Sequence, residues 1–341
     1  MRVLVTGASG RIGLPLVREL RGRGHTVRAL TIAGDPRRAD LDAASDEVLE
    51  GDIASAVACT AAVADVDAIY HLAGQLPQKT TDERVFDVNV RGTWELMAAA
   101  SRRAADLRMV VFASTNDVYS VQDALYSPVD EAHPRRPVSP YGLSKVMGEE
   151  ICAFHRIRNG LPVAIARFGL TQSADELLTG LTAQYFLLSA RVAALREAAA
   201  TDPAAAAERE RLEAILERDG EHAIVLRGAD GQPWMFHICE VTDLVHGLSL
   251  FLEHPAAIGE AINLSSPAPF TTDIAAAHLA ARTGLPVLDV AVPPGLRFVE
   301  SIAKARSILG YDPRFSIADI LDRGLETVGR DPFAGSGAAP R

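Results

Sequence analysis

The sequence predicts an α/β protein with a doubly wound parallel sheet that is covered by helices on both faces. Six short apolar segments have the length and β-branched content of buried strands, at residues 2–6, 26–30, 47–52, 67–74, 108–114 and 162–168. Segments with helical periodicity separate the strands, most clearly at 11–23, 83–104 and 140–158. Strands joined by helices of this length form right-handed βαβ units, which place their strands parallel in one sheet.

The second half of the chain predicts a smaller, mostly helical lobe. Residues 173–222 are rich in Ala, Arg, Glu and Leu, and Thr201-Asp202-Pro203 is a typical helix start. We expect at least two amphipathic helices here, which form a lid, a subunit contact or a solvated elaboration. Further strands are expected at 223–227 and 260–265, and further helices near 272–283 and 301–309.

Composition excludes several classes of protein. The chain has 341 residues, 48% hydrophobic and 23% charged, which suits one large domain or two lobes. A net charge of -10 without a basic run argues against a nucleic-acid partner. The three cysteines are far apart and predict neither disulfides nor a metal site. No stretch resembles a membrane span or a signal peptide, so we expect a cytoplasmic protein.

A glycine turn follows the first strand, where residues 6–13 read TGASGRIG. In such a turn one glycine permits the tight bend, one lets the backbone approach a pyrophosphate, and one lets the helix pack on the strand. The helix N-terminus offers unpaired N–H groups to the phosphates. The turn therefore predicts NAD or NADP binding. Asp52, after the third strand, could accept a hydrogen bond from the adenine amino group or cap a helix.

A tyrosine and a lysine four residues apart predict the catalytic pair. Tyr141 and Lys145 lie on one face of the helix expected at 140–158. Free tyrosine has a pKa of about 10, and a nearby ammonium lowers that pKa by favouring the phenolate. The pair can then exchange the proton of a substrate hydroxyl while hydride moves to or from nicotinamide. Thr115, at the end of the fifth strand, could hydrogen-bond the reacting oxygen.

The segment after the second strand bears on the choice between NAD and NADP. An acidic residue at this strand end would bind the ribose 2′-hydroxyl and favour NAD, but Thr31 is neutral. Asp35 could substitute for it. Arg37 and Arg38 could pair with a 2′-phosphate or simply be solvated loop residues. Both cofactors stay open at this point.

Several motifs in order resemble the extended short-chain dehydrogenase/reductase family, which includes nucleotide-sugar epimerases and dehydratases. They are TGASGRIG, GDI (51–53), HLAG (71–74), VNVRGT (88–93), STNDVY (114–119), SPYGLSK (139–145) and SIAKARSILGYDP (301–313). The resemblance implies a Rossmann domain at 1–168. Later strands can return to the sheet of this domain. It also implies a substrate-binding lobe at 169–330 with its insertion at 173–222, and a homodimer through the helices near 83–104 and 140–158. Residues 331–341 are expected to be a disordered tail.

The resemblance also assigns roles residue by residue. Catalysis would fall to Thr115, Tyr141 and Lys145, and no metal is implied. Cofactor contacts would come from Gly7, Gly10, Arg11, Ile12, Gly13, Asp52, Ile53, Leu72, Ala73, Gly74, Asn89, Tyr141, Lys145 and Phe168. Within this set, Asp52 and Ile53 would flank adenine, Asn89 would lie behind the active site, and Phe168 near nicotinamide.

Two departures from the family pattern keep several functions open. Leu170 stands where related epimerases carry an Asn that contacts nucleotide-sugar phosphates, and Asn116-Asp117 replaces the Asp-Glu of dehydratases. One hypothesis is an epimerase of a sugar or nucleotide sugar, in which hydride leaves a carbinol carbon and returns to its other face. Another is an NADPH-dependent reductase or dehydrogenase of a small carbonyl or hydroxyl compound. A third is a non-catalytic dinucleotide-sensing protein, against which the presence of Tyr141 and Lys145 argues.

Overall fold

The computed structural model describes residues 1–76, 80–121, 123–293, 295 and 297–328, so the predicted tail at 331–341 lies outside the described residues. The chain forms two compact units. Unit 1 comprises Met1–Thr171, Val241–Ser265 and Glu300–Pro313, and unit 2 comprises Gln172–Glu240, Ser266–Val299 and the residues from Arg314. Beyond the predicted division at residue 168, two later segments, 241–265 and 300–313, also belong to unit 1.

Strands and helices alternate through the first half of the chain. The strands are β1 (Arg2–Thr6), β2 (Thr26–Thr31), β3 (Glu47–Glu50), β4 (Ala68–His71), β5 (Met109–Thr115), β6 (Val163–Phe168), β7 (Leu170–Gln172), β8 (Ala223–Arg227), β9 (Met235–Phe236), β10 (Ile238–Glu240), β11 (Ala261–Leu264), β12 (Phe270–Thr271) and β13 (Val287–Ala291). The α-helices are α1 (Gly13–Gly22), α2 (Arg38–Ala44), α3 (Ala56–Ala62), α4 (Asp82–Phe86), α5 (Gly92–Ser101), α6 (Pro140–Asn159), α7 (Ala174–Leu177), α8 (Leu188–Ala198), α9 (Pro203–Asp219), α10 (Val241–Leu250), α11 (Thr272–Thr283), α12 (Ala303–Leu309) and α13 (Ile317–Val328). None of these helices, as far as the chain is described, is long and apolar enough to cross a membrane.

Unit 1 is built on a seven-stranded sheet in the order β11-β6-β5-β4-β1-β2-β3. Every neighbouring pair is parallel, and all residues of β5 are buried. Helix α1 packs on α2 and α10, while α5 packs on α3 and α6. This is the doubly wound Rossmann architecture, so the predicted fold class is confirmed. The strand order reverses between β1 and β4, where ligands bind beyond the carboxyl ends of the strands.

Strand register brings the ends of five strands to one edge of the sheet. Thr6 pairs with His71, and Phe168 pairs with both Thr115 and Leu264. Because parallel strands share their direction, the residues that follow these strands also meet at that edge. The glycine turn, the segment after β4 and the segment after β5 are therefore neighbours.

Unit 2 contains the helical segment that the composition of residues 173–222 predicted. Asp202 caps α9 by accepting a hydrogen bond from the Ala204 N–H at 2.8 Å, and Pro203 is the first helical residue. Arg191 of α8 and Glu208 of α9 form an ion pair at 2.8 Å. The buried core of this region is formed by Leu188, Val192, Leu195, Ala205, Leu212, Ile224, Leu226, Val290 and Val292. The segment thus supplies core residues of unit 2 and is more than a solvated elaboration.

Candidate active site

The glycine turn between β1 and α1 leaves no room for a side chain at Gly7 or Gly13. Gly7 has a φ of 64°, and a Cβ added to it would lie 2.7 Å from the backbone nitrogen of Ala73. A Cβ on Gly13 would lie 2.2 Å from the carbonyl oxygen of Gly7. At these two positions, where the first turn of α1 begins, the backbone therefore carries no side chain. Such a cradle at a helix N-terminus fits a pyrophosphate group.

A cavity of about 230 Å³ adjoins this turn within unit 1. It is lined by Thr6, Gly7, Ser9, Gly10, Leu30, Thr31, Ile32, Asp35, Gly51, Asp52, Ile53, Leu72, Ala73, Gly74, Gln75, Arg84 and Val88. Half of the predicted cofactor residues are in this lining. The other half lie outside it: Arg11, Ile12, Gly13, Asn89, Tyr141, Lys145 and Phe168. Arg11 directs its Nη1 to the carbonyl oxygen of Thr171 at 3.4 Å.

Asp52 borders the cavity and is held by two donors. Its carboxylate accepts the Ala54 N–H at 2.9 Å and pairs with Arg84 Nη2 at 2.8 Å. Both interactions lower the pKa of Asp52, the Ala54 bond more than the Arg84 bond. The alternative that Asp52 caps a helix is wrong, because Ser55 caps α3 by accepting the Ala58 N–H. Sequence reasoning missed Arg84, since an arginine in a helix carries no distinctive signal.

Asp35 occupies the region where the sequence left the cofactor choice open. Its carboxylate accepts hydrogen bonds from the Thr31 hydroxyl and from the Arg37 N–H. Although partial burial opposes the shift, hydrogen bonds from Ser9 and Thr31 lower the pKa of Asp35. Arg37 Nη1 donates to the Ser9 carbonyl at 2.9 Å, and Arg38 pairs with Asp42 and Glu50. The acidic group therefore lines the cavity, while both arginines bond to other groups of the protein.

Tyr141, Lys145 and Thr115 are brought together by α6 and the end of β5. Ser139 caps α6 by accepting the Gly142 N–H at 2.9 Å. Lys145 Nζ donates to the Ala113 carbonyl at 2.8 Å and lies 5.7 Å from the centroid of the Tyr141 ring. Thr115 lies close enough to the Tyr141 hydroxyl to lower the pKa of that tyrosine. The three predicted catalytic side chains thus form one cluster in unit 1.

Burial dominates the electrostatics of this cluster. Lys145 is 4% exposed, and loss of hydration lowers its pKa to about 8, against the opposing charge of Glu149. Burial also raises the pKa of Tyr141, as does the charge of Asp117, whereas the nearby Thr115 hydroxyl lowers it. That Lys145 lowers the pKa of Tyr141 stays a prediction: the ammonium bonds to the Ala113 carbonyl and lies over the Tyr141 ring.

Asn89 lies on a π-helical turn at Asp87–Arg91 and connects the loop after β4 with α6. Its Oδ1 accepts the Gln75 N–H at 2.7 Å, and its Nδ2 donates to Ser144 Oγ at 2.9 Å. Ser144 in turn donates to the Tyr141 carbonyl at 2.7 Å. A Cβ on Gly74 would lie 3.4 Å from Asn89 Oδ1 and 3.3 Å from Lys145 Nζ. Asn89 therefore links the loop after β4 to α6, the helix that carries Tyr141 and Lys145.

Glu149 was not predicted, although it lies one helical turn after Lys145 on the same face of α6. Its carboxylate receives Arg167 Nε at 2.9 Å and Arg167 Nη2 at 2.7 Å, a two-pronged ion pair. Ser114 Oγ donates to the same carboxylate at 2.6 Å. This buried pair ties α6 to the ends of β5 and β6. The four-residue spacing from Lys145 was the signal that could have revealed it.

About half of the chain matches known relatives, and a family model matches a longer part. Residues 3–265 match the NAD dependent epimerase/dehydratase family. An L-arabinose 1-dehydrogenase (NAD(P)(+)) from Haloferax volcanii is 35% identical over 187 residues, which cover 52% of this chain and 69% of that protein. A uronate dehydrogenase from Pseudomonas syringae is 34% identical over 49% of this chain and 58% of that protein. A UDP-glucose 4-epimerase from Mycolicibacterium smegmatis is 39% identical over 46% of this chain and 51% of that protein.

Solved structures match nearly the full length. A short-chain dehydrogenase/reductase superfamily protein from Agrobacterium tumefaciens, solved with bound NAD, superposes with a TM-score of 0.83 and 32% identity over 96% of this chain and 97% of that chain. A UDP-glucuronic acid 4-epimerase from Bacillus cereus gives a TM-score of 0.73 at 20% identity over 96% and 98%, a likeness of fold alone. The chain therefore belongs to the NAD-dependent epimerase/dehydratase family and is an NAD(P)-dependent enzyme of the extended short-chain dehydrogenase/reductase group.

Proposed function

We propose that the protein transfers hydride between NAD and a carbinol of a sugar, with net oxidation of the sugar. The observation that carries the proposal is the cluster of Thr115, Tyr141 and Lys145 beside the cavity that adjoins the glycine turn. When bound, the nicotinamide ring accepts or returns the hydride. The protein's own side chains handle the proton that accompanies it.

Each catalytic side chain has a separate task in this proposal. The Thr115 hydroxyl hydrogen-bonds the reacting oxygen of the sugar. The Tyr141 hydroxyl, which lies beside Thr115, exchanges the proton with that oxygen. Lys145 is held by the Ala113 carbonyl and supplies a positive charge beside the Tyr141 ring, which stabilises the phenolate as it forms.

Leu170 favours a sugar without a nucleotide. This half-buried residue begins β7, where related epimerases carry an Asn that contacts phosphate. A leucine side chain offers no hydrogen bond to a phosphate group. L-arabinose and uronate, named for the Haloferax and Pseudomonas relatives, are sugars of the kind that this difference favours.

Asp35 favours NAD over NADP. Its carboxylate lines the cavity and can accept hydrogen bonds from ribose hydroxyls, but it repels a 2′-phosphate. Arg37 and Arg38, the groups that could have bound such a phosphate, are engaged with Ser9, Asp42 and Glu50. We infer that Asp35 supplies the negative charge that Thr31 lacks and accepts the hydrogen bonds of the ribose hydroxyls.

A nucleotide-sugar epimerase is the second candidate, since a UDP-glucose 4-epimerase is 39% identical over 166 residues. The two candidates differ in net redox change. We would incubate the protein with NAD and, separately, L-arabinose, D-galacturonate and UDP-glucose, following NADH by absorbance and products by NMR. NADH formed with a free sugar, and lost in Tyr141→Phe, supports the dehydrogenase. Conversion of UDP-glucose to UDP-galactose without net NADH would replace it with the epimerase.

We also infer that two chains associate through α5 and α6. Trp94 on α5 and Phe154 on α6 are 45% and 40% exposed, and their stacked rings lie 5.8 Å apart. Exposed aromatic patches of this kind mark protein interfaces. Phe154→Glu should halve the mass measured by light scattering after gel filtration. Ile274→Glu, an equally drastic change of an exposed side chain in unit 2, should leave the mass unchanged, and a wild-type monomer would contradict the inference.

A further inference from the structure

His71 is a buried histidine that the proposed chemistry does not use. It ends β4 and is 0% exposed, so neither ring nitrogen is open to solvent. Each nitrogen instead faces the hydroxyl of a buried threonine. Thr6 Oγ1, at the end of β1, lies 2.9 Å from Nδ1, and Thr93 Oγ1, on α5, lies 3.0 Å from Nε2. The imidazole thus joins the strand before the glycine turn to the helix after the π-helical turn.

The neighbouring hydrogen bonds fix which ring nitrogen carries the proton. The Thr93 hydroxyl donates to the Asn89 carbonyl at 2.6 Å, and a carbonyl oxygen can only accept. Because its one proton is used there, Thr93 can only accept from His71, so Nε2 is the donor. At the other nitrogen, Thr6 Oγ1 accepts the Ala73 N–H at 3.2 Å and donates its own proton to Nδ1. A neutral imidazole with its proton on Nε2 therefore satisfies every group.

The surroundings of His71 also favour the neutral imidazole. Burial, helped by the charge of Lys145, lowers the pKa of His71 to about 3. The ring centroid of Phe112 lies 5.7 Å from that of His71 and 5.2 Å from Lys145 Nζ, so the histidine and the ammonium share an aromatic neighbour. A protonated His71 would place a second positive charge near Lys145 and leave the Thr6 hydroxyl proton without this acceptor.

The partners of His71 hold a segment that lines the cavity beside the glycine turn. Residues 72–75 all belong to that lining. Thr6 holds the first part of the segment through the backbone N–H described above. Asn89 holds its end, since Oδ1 accepts the Gln75 N–H at 2.7 Å and Nδ2 donates to the Gln75 carbonyl at 3.1 Å. His71 connects the two holding groups, one directly and the other through a threonine hydroxyl.

We propose that His71, as a neutral imidazole with its proton on Nε2, is a positioning residue that holds residues 72–75 in the shape that the dinucleotide cofactor meets. It does so by keeping Thr6 and the π-helical turn of Asn89 together. The role concerns the binding of NAD or NADP and does not require the oxidation of a sugar. When the chain of hydrogen bonds is broken at Thr93, cofactor affinity falls, while kcat at saturating cofactor stays within about threefold of wild type.

The first test measures the tautomer and needs neither a substrate nor a variant. The sequence contains nine histidines, so labelling with ¹⁵N-histidine gives nine pairs of ring signals, and contacts with the Phe112 ring identify the pair of His71. The ¹⁵N shifts at pH 7 should show one tautomer, with the proton on Nε2 and a lone pair on Nδ1. A proton on Nδ1, a mixture of tautomers or a charged ring would overturn the proposal, whatever the binding assays show.

The second test removes one hydroxyl from the chain of hydrogen bonds. Thr93→Val keeps the shape of the side chain but leaves Nε2 without an acceptor, so the Kd for the tighter of NAD and NADP should rise about tenfold. Thr93→Ser keeps the hydroxyl and should stay within about threefold of wild type. Thr60→Val is the matched control and should leave Kd unchanged. The Thr60 hydroxyl makes the same kind of bond, to the carbonyl four residues earlier, but at an exposed position on α3.

Isothermal titration measures Kd, and urea unfolding measures the stability of the same variants. A Thr93→Val protein that loses stability but binds cofactor as tightly as wild type would show a merely structural role and overturn the proposal. Should that variant not fold, His71→Gln replaces it, since this amide can still donate to Thr93 but cannot join it to Thr6. Its Kd should also rise about tenfold, and an unchanged Kd is equally decisive against the proposal. If no sugar is oxidised, the proposed function fails, but both tests still decide the role of His71.

Discussion

The two ends of the candidate site hold their charged groups in opposite ways. At the end predicted for adenosine, Asp52 and Arg84 form an ion pair whose side chains are 43% and 40% exposed. At the reacting end, Lys145 and Glu300 are almost fully buried. Burial lowers the pKa of Lys145 to about 8 and raises the pKa of Glu300 to about 8. Water weakens an exposed pair to less than about 1 kcal/mol. Cofactor choice should therefore respond to single surface changes, whereas the chemistry depends on buried groups that act together.

The sharpest way to test this contrast is to remove one hydroxyl from the buried end. Tyr141→Phe should lower turnover by at least about a thousandfold, because the proton loses its acceptor, while NAD affinity stays within about twofold. Initial rates and NAD titration by tryptophan fluorescence measure the two effects. Tyr126→Phe is the matched control, since its hydroxyl bonds Asp130 at an exposed position. Turnover retained in Tyr141→Phe would revive the dinucleotide-sensing hypothesis.

The glycine cradle should tolerate no side chain, in contrast to the surface of the same helix. Gly13→Ala places a Cβ 2.2 Å from the Gly7 carbonyl, so we expect unfolding to become easier by about 1–3 kcal/mol and NAD affinity to fall more than about tenfold. Gly22→Ala, at the other end of α1, meets no atom within 4 Å and should stabilise slightly. Urea unfolding and NAD titration distinguish them. If Gly13→Ala and Gly22→Ala had the same stability and the same NAD affinity, the inference that the glycine turn holds the pyrophosphate would be contradicted.

At the exposed end, one substitution should shift the cofactor preference. Asp35→Ser removes the charge that opposes a 2′-phosphate, so the ratio of affinities for NAD and NADP should fall about tenfold, with Arg37 and Arg38 retained. Isothermal titration with both cofactors measures the ratio. Asp106→Ser, which changes an exposed carboxyl outside the cavity lining, is the control and should leave the ratio unchanged. A preference for NADP in the wild-type protein would show that Asp35 does not face the ribose.

The parts of the molecule that could be predicted from the sequence depend on short segments of chain. The six strands of the first half and the long helix at 140–159 agree with their predicted positions within a few residues, because periodicity records burial directly. The glycine turn and the Tyr141/Lys145 pair are equally local, being set by spacing along one turn or one helix. The short strand β13 was missed: four of its five residues are apolar, but Asp289 interrupts them and most are partly or fully exposed.

The parts that could not be predicted depend on contacts between distant segments. Glu300 meets Gly169 and Ser265 only because β6 and β11 end at one edge of the sheet, and β11 comes late in the chain. The π-helical turn that carries Asn89 shifts the register within a helix whose hydrophobic pattern looks ordinary. Helical segment 173–222 was predicted as helices, but its contribution to the core of unit 2 required β8 and β13 as partners.

The smallest effect that we expect separates Glu300 from exposed carboxyls by its dependence on pH. The unfolded chain ionises this group near pH 4.5, while the folded chain keeps the proton up to a pKa of about 8. Burial therefore costs no stability below pH 4.5, an increasing amount between pH 4.5 and 8, and a constant amount above. Glu300→Gln should unfold at the wild-type temperature near pH 4 and roughly 5 °C higher at pH 8.

Differential scanning fluorimetry across this pH range measures the difference. The neighbouring carboxyl Glu131, whose pKa burial also raises, is present in both proteins, so its contribution largely cancels. Glu217→Gln, on the exposed side of α9, should shift the unfolding temperature by the same small amount at every pH. A Glu300→Gln difference that is independent of pH would mean that the folded protein ionises Glu300 as readily as the unfolded chain does.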